Sequence, residues 1–256
     1  DNDTLKRAAF GTDKKVYTYF GGINYDITPL VSTVSVTNSL NTTAGSTKII
    51  VSTTNNLNTG DFVEFVSMAA TIGGNIFLTS GTTFEVSAIS VSAFAIESST
   101  TAAATSSSTG DVRINFLLPI GTSTAVAGLG WNAGYYGQGG YGEPKTESDI
   151  TIQPRQWTLD TWGEDLIAGL RGGRVYYWDK TGTVDARAVE VTAAPSTSNT
   201  LVVSQEDRHL ICLGTNEFIG GAFNPLLVRW SNQNDFNNWT PSVSSTSGEA
   251  ILGSGN

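Results

Sequence analysis

Asp165-Leu166-Ile167-Ala168-Gly169-Leu170-Arg171-Gly172-Gly173-Arg174-Val175-Tyr176-Tyr177-Trp178-Asp179 is the stretch that decides the fold. It reads as a strand, a Gly-Gly turn and a second strand that ends in an aromatic residue followed by Asp. Paired glycines suit a tight hairpin because they adopt positive φ without steric cost. Val16 through Asp26 repeats the arrangement, with Gly21-Gly22 at the turn and Tyr25-Asp26 at the end. A looser copy runs from His209-Leu210-Ile211-Cys212-Leu213-Gly214 through a longer loop to Pro225-Leu226-Leu227-Val228-Arg229-Trp230-Ser231. Trp178 and Trp230 lie about 50 residues apart, near the period of a propeller blade. Each such blade is a short antiparallel sheet that stacks on its neighbours because it cannot bury its faces alone. The competing reading is a plain β-sandwich with coincidental Gly-Gly hairpins.

Tyr25 is much further from Trp178, and an inserted unit accounts for the excess. Between Leu30 and Val112 the only basic residue is Lys48, and all six Trp lie from Trp131 onward. The inserted region reads as short strands: Val34 and Val36 in alternation, Lys48-Ile49-Ile50-Val51, Asp61 to Val66, Asn75 to Leu78, Thr83 to Ile89, and Ala93 to Ile96. Asn55 to Gly60 is a turn cluster between them. Period-two apolar residues between turn signals predict a small sandwich or barrel. Thr100 to Gly110 reads as a Ser/Thr/Ala loop with nothing to bury. No stretch sustains a helical apolar period; Pro154 to Leu170 comes nearest, yet Trp157 to Asp160 and Leu166 to Ala168 read as strands around a turn at Gly163. The expected fold is all-β: a propeller-type hairpin in residues 1–30, an inserted small β-barrel in 31–115, a Gly/aromatic linker arm in 116–150, and propeller-type blades, a complete or partial set, in 151–256.

Composition narrows the function. Of the 256 residues 14% are charged, and the net charge is −9. Phosphate neutralisation needs clustered Lys and Arg, so a nucleic-acid-binding surface is not expected. A mildly acidic wall would let DNA slide past, although the same acidity also serves plain solubility. With Cys212 as the one cysteine there is no intrachain disulfide, and with His209 as the one histidine no tetrahedral zinc set is available. No apolar run is long enough for a membrane span, and the polar start at Asp1-Asn2-Asp3-Thr4 shows no signal peptide. The first residue and the Gly253-Ser254-Gly255-Asn256 end lead to the expectation of a processed or partial chain.

Few residues offer chemistry. His209 and Cys212 are three apart in an apparent strand, so they point to opposite faces and form no dyad. Cys212 sits in an apolar run and reads as core. Glu164 and Asp165, with Asp160 close by, would suit glycoside cleavage if paired across a cleft, but their place at a turn suits capping of backbone N–H groups. Asp26 and Asp179 are expected to hydrogen-bond the turn after their hairpins. Gly121 to Gly142 lacks the Lys-Ser/Thr of a phosphate loop. Leu129 to Tyr141 reads as an extended arm with aromatic anchors, or as a flexible linker. No catalytic, cofactor-binding or metal-binding residue and no cofactor is assigned. The structural and interface candidates are Trp131, Tyr135, Tyr136, Tyr141, Trp178, Asp179, Trp230 and Trp239.

Three segments carry a resemblance. Arg155 to Ala168 continuing through Arg171 to Asp179, Leu227-Val228-Arg229-Trp230-Ser231-Asn232-Gln233-Asn234-Asp235-Phe236-Asn237-Asn238-Trp239-Thr240-Pro241, and Gly128 to Gly142 resemble segments of tail proteins of tailed phages, in particular the tail nozzle, or tail tubular protein B, of short-tailed phages and its hub and stopper relatives. The region around Thr59-Gly60-Asp61-Phe62-Val63-Glu64-Phe65 and Thr83 to Val86 looks like the small barrel inserted in such proteins. That barrel is similar in pattern to the first catalytic-cysteine half-domain of ubiquitin-activating enzymes, without a cysteine here. The likeness spans about residue 13 onward. A closed nozzle propeller needs more blades than this chain supplies, so they would come from further sequence or from elsewhere. The resemblance implies a non-enzymatic virion protein of the phage tail, with identical subunits in a ring below portal and adaptor, contacts to tail fibres, and genome DNA passing without sequence-specific binding. Two other functions remain open: a carbohydrate-binding or glycan-depolymerising tail protein using Trp/Tyr platforms with Asp160, Glu164 or Asp165, and a secreted propeller lectin unrelated to phages.

Overall fold

The protein is described here by a computed structural model covering residues 7–12, 15–57, 59–67, 70–118 and 156–253. Among these residues every regular element is a β-strand and every strand pairing is antiparallel. The chain forms two compact units: Pro29–Ile120, and Asp1–Thr28 together with Gly121–Asn256.

The second of these units contains three sheets. Sheet 1 is β1 (Ala8–Gly11), β2 (Val16–Phe20) and β3 (Ile23–Asp26), with Gly21 and Gly22 at positive φ in the β2–β3 turn. The barrel unit follows in sequence: β4 (Leu30–Thr37), β5 (Leu40–Thr42), β6 (Lys48–Ser52), β7 (Phe62–Phe65), the small hairpin β8 (Ala70–Ile72) and β9 (Ile76–Leu78), β10 (Thr82–Ser90), β11 (Ala93–Glu97), β12 (Ser106–Ser107) and β13 (Asp111–Leu117). Sheet 2 is β14 (Trp157–Trp162), β15 (Asp165–Leu170), β16 (Val175–Trp178) and β17 (Val189–Glu190); sheet 3 is β18 (Ser198–Ser204), β19 (His209–Asn216), β20 (Phe223–Trp230) and β21 (Gly248–Ile251).

In the barrel unit the pairings run β5–β6–β11–β10–β7–β13–β4. β4 runs on into β5 after a bend at Asn38, and β12 into β13 after a bend at Gly110, both residues having positive φ. β12 also pairs with β5. The two bent strands therefore lie side by side along their length, and the order of pairings returns on itself. Such bending brings the two ends of the order together, with β4 and β12 each paired on one side. Alternation then sorts the side chains: Ile49 and Val51 are buried while Lys48, Ile50 and Ser52 are exposed. The interior holds Val63, Phe65, Phe94, Ile96 and Ile114. Phe65 meets Phe84 edge-on at 5.6 Å, and Phe94 meets Phe116 edge-on at 6.0 Å.

The Thr100–Gly110 segment corrects its sequence reading as a loop with nothing to bury. Ala102 is 3% exposed and joins the core, Ser108 is buried and accepts the Leu40 N–H, and Ser106-Ser107 pairs with Asn41-Thr42. Small side chains bring no hydrophobic weight to a sequence pattern, yet they permit close approach. A Cβ on Gly73 would sit 2.8 Å from that of Ala102.

In the stack of three sheets, β1 lies against β14 and β14 against β18, so the first strands adjoin. Stacked antiparallel meanders with adjoining first strands have the arrangement of propeller blades. Sheet 2 is the middle layer, and Leu166 to Leu170 is buried without alternation because both its faces are covered. Ile167, Gly169 and Val175 face Leu201, Val203, Leu210 and Cys212 of sheet 3. Leu166, Ala168 and Trp178 face the other way, where the Arg7 guanidinium sits between the rings of Phe20 and Trp178. Gly163, at positive φ, makes the β14–β15 turn.

Tyr25, Trp178 and Trp230 all occupy the third strand of their sheets. Their facing differs. Tyr25 shares the covered face of sheet 1 with buried Thr18, Trp178 faces back toward sheet 1, and Trp230 lies on the face of sheet 3 that points away from sheet 2. The three hairpins are alike in position but not in side-chain register.

Candidate functional site

The three acidic residues considered for glycan chemistry are each held by the fold. Asp160 accepts the N–H of Val203 at 2.7 Å and that of Thr161 at 2.7 Å, tying sheet 2 to sheet 3. Asp165 accepts the Tyr177 hydroxyl at 2.8 Å and the Lys180 N–H at 3.0 Å. Burial and the adjacent Asp165 both push the Tyr177 phenol above its ordinary range, which keeps it a donor. Glu164 is exposed and pairs with Lys180 at 2.7 Å, an ion pair that lowers its carboxyl below the usual value.

His209 donates from Nδ1 to the Ser231 carbonyl at 2.7 Å, bridging β19 to the end of β20. Cys212 is fully buried on the opposite face of the same strand, and burial pushes its thiol up to about 12. Among the described residues no cluster of three or more His, Cys, Asp or Glu is placed to hold a metal ion.

Of the interface candidates, Trp131, Tyr135, Tyr136 and Tyr141 lie outside the described residues. Trp178 and Trp239 are interior. The Trp178 indole donates to the Ala186 carbonyl at 2.9 Å, and that of Trp239 to the Phe236 carbonyl at 2.7 Å. Asp179 is exposed and accepts the Thr181 N–H at 2.7 Å and its hydroxyl at 2.6 Å, bonds that lower its carboxyl. Asp26, by contrast, is mostly buried. Burial alone would raise its pKa, but hydrogen bonds from Lys15 and Thr28 and the charge of Arg187 outweigh that and hold it below the ordinary range. Its ion pairs to Lys15 at 2.8 Å and Arg187 at 2.7 Å link sheet 1 to the loop before β17.

Trp230 is half-buried and donates to the Thr246 carbonyl at 2.7 Å. Gly248 lies flat against its ring, where a Cβ would come within 2.7 Å. Trp230 belongs to a feature that sequence reasoning missed. Among the described residues the outward face of sheet 3 is mostly apolar and partly exposed, with Thr200, Ser204 and His209 at its first two strands. Register places Val202, Ile211 and Trp230 in one cross-strand row and Thr200, Leu213, Val228 and Ala250 in the next. Val202 is 42% exposed. The outward face of sheet 1 is exposed at Phe10, Tyr19 and Asn24, whereas Lys15 and Arg187 cover it at Asp26. There Phe10 stacks on Tyr17 at 5.4 Å, and Tyr19 is 44% exposed. A run such as Leu201-Val202-Val203 was the available signal, since a strand apolar on both faces expects cover on both.

The barrel unit carries a cleft of about 230 Å³ lined by Val31, Thr54, Asn55, Leu57, Asp61 and Phe116, among others. The Asn55 amide there donates to the carbonyls of Thr53 and Ser90 and accepts the Leu57 N–H, which shapes the loop.

No protein-family model matches the chain, and no curated protein matches it. Among solved structures, the endosialidase of phage phi92 is similar to it, with 14% sequence identity and a TM-score of 0.29. The match covers 91% of this chain and 36% of the endosialidase chain. A likeness of that degree carries no argument about activity.

Proposed function

We propose that this chain is a structural protein of a phage tail, a subunit of a nozzle or hub ring bordering the path of the genome, and that it has no enzymatic role. The observation that carries this reading is the set of large apolar side chains left exposed, among the described residues, on the outward faces of sheets 1 and 3, Phe10, Tyr19 and Val202 among them. A protein acting alone gains nothing from leaving such faces in water, whereas an assembling subunit buries them in its contacts. Its mechanism is geometric: stacked sheets and a closed barrel give rigid walls. The low charge and net value of −9 suit a surface that does not hold DNA. The resemblance of Arg155 to Asp179 and Leu227 to Pro241 to phage tail segments supplies the viral context.

Electron microscopy of the purified protein tests it. A multi-copy ring with an axial channel is the expected result; a monomer at every concentration would overturn it. The second reading, glycan binding, is favoured by the stacked pair Phe10–Tyr17 and exposed Tyr19, because open aromatic faces suit sugar stacking. A glycan array decides it, with Tyr19→Ala abolishing any captured signal if that face is the platform. Unchanged hydrolysis in Glu164→Gln would remove the depolymerising version.

A further inference from the structure

We propose that sheet 1 is a separately opening element of the stack, latched to sheet 2 by the Arg187 guanidinium, and that release of this latch frees the root of the barrel unit while sheets 2 and 3 stay packed.

The two sheet-on-sheet contacts are made of different material. Sheets 2 and 3 share one apolar cluster, with Trp162, Ile167 and Val175 on one side and Leu201, Val203 and Leu210 on the other. Sheet 1 is tied to sheet 2 through cations. The Arg7 guanidinium lies 4.8 Å from the Phe20 ring centroid and 5.3 Å from that of Trp178, and it donates to the Lys180 carbonyl at 3.1 Å. Arg187, in the loop before β17, pairs with Asp26 at 2.7 Å and donates to the Thr28 carbonyl at 3.3 Å. The next residue, Ala188, donates its N–H to the Ile27 carbonyl at 2.9 Å. Val16 and Ile27 of this region are fully buried, yet neither belongs to the cluster that joins sheets 2 and 3.

The latch sits where the chain leaves the stack. Asp26-Ile27-Thr28 is followed at once by Pro29, the first residue of the barrel unit. Asp26 also binds Lys15 at 2.8 Å and accepts the Thr28 N–H at 3.0 Å, while the Thr28 hydroxyl accepts the Val16 N–H at 3.0 Å. When Arg187 lets go, the carboxylate therefore keeps a cation of its own sheet, and no unpaired charge is left buried. The side chains of Asp26 and Arg187 are 23% and 28% exposed, so dissolved ions reach the pair and screen it. The apolar contact between sheets 2 and 3 has no such weakness. Cooperative pieces of one fold open at different free energies, and this contrast in contacts marks sheet 1 as the piece that opens first.

Amide hydrogen exchange measured by NMR reads both contacts in one molecule. The Ala188 N–H crosses to sheet 1, and the Val203 N–H crosses from sheet 3 to Asp160 of sheet 2 at 2.7 Å. After correction for intrinsic rates, Ala188 is expected to exchange about tenfold faster than Val203. Sodium chloride at about 1 M should widen that ratio. Arg187→Gln should speed Ala188 by about a further tenfold and leave Val203 as it was, with Arg187→Lys, which keeps the charge, falling between. Glu164→Gln breaks an exposed pair with Lys180 and should move neither amide. Equal corrected rates for the two amides in the unaltered protein would make the stack one cooperative block and overturn the proposal. Equal acceleration of both in Arg187→Gln, or a ratio indifferent to salt, would overturn it as well.

Discussion

The barrel unit and the sheet stack solve the same problem in opposite ways. Both are built from short antiparallel strands with apolar side chains. The barrel bends two strands at Asn38 and Gly110 and pairs its first with its last, so its core lies within residues 29–120. The stack layers separate sheets, and among the described residues only its middle layer is covered on both faces. Closure makes a self-sufficient unit; layering makes a unit that is finished by whatever lies beyond it.

The largest expected effect separates the two units. Phe94→Ala removes a fully buried ring from the barrel and costs it about 3–5 kcal/mol. All six Trp lie outside the barrel, so the fall should show in circular dichroism while the denaturation midpoint read by tryptophan fluorescence stays in place. A fluorescence midpoint that moved equally would show one cooperative block instead. The reverse experiment is Gly169→Val. The added side chain collides with the Cδ2 of Leu201 between sheets 2 and 3, and the fluorescence midpoint should fall by up to about 3 kcal/mol.

Acid should loosen the stack before the barrel. The folded pKa of Asp26 is depressed, so its contribution is full above the unfolded value near 3.8 and is lost as pH falls through the lower folded value. Asp26→Asn should cost about 2 kcal/mol at neutral pH and flatten the acid limb of a midpoint-against-pH curve. An acid limb unchanged in that variant would assign the effect to other carboxylates. The smallest effect concerns the barrel's bend: Gly110→Ala, at positive φ, should cost about 1 kcal/mol, seen in the dichroism midpoint alone.

Much of the local structure was legible in the residues. Gly21-Gly22 sits at a turn between the strands predicted around it, Gly163 separates β14 from β15, and the alternation from Asp61 to Val66 is the strand β7. What escaped was anything set by partners far along the chain. Barrel closure runs through Asn38-Ser39 and Thr109-Gly110, which read as places where strands stop. The packing of Ala102 and Ser108 leaves no hydrophobic signal. Asp160 binds a backbone N–H on another sheet, so no side-chain pattern records it. Trp178 and Trp230 look equivalent in sequence because aromatic-then-polar recurs, but one step of register turns a side chain to the other face.

The separation of sheet 1 from sheet 2 along the chain sets an order of events at the ribosome. β1 waits for β14 about 150 residues later, and Arg7 for Trp178 and Lys180 some 170 residues later, at about 5–20 residues per second. Over the last 60 or so residues of that wait, about 3–12 s, the barrel is already fully translated and has all its strands, while the hairpin β2–β3 is exposed with Tyr17 and Tyr19. The nascent chain is therefore most vulnerable to aggregation in the interval between release of the barrel and arrival of residue 180.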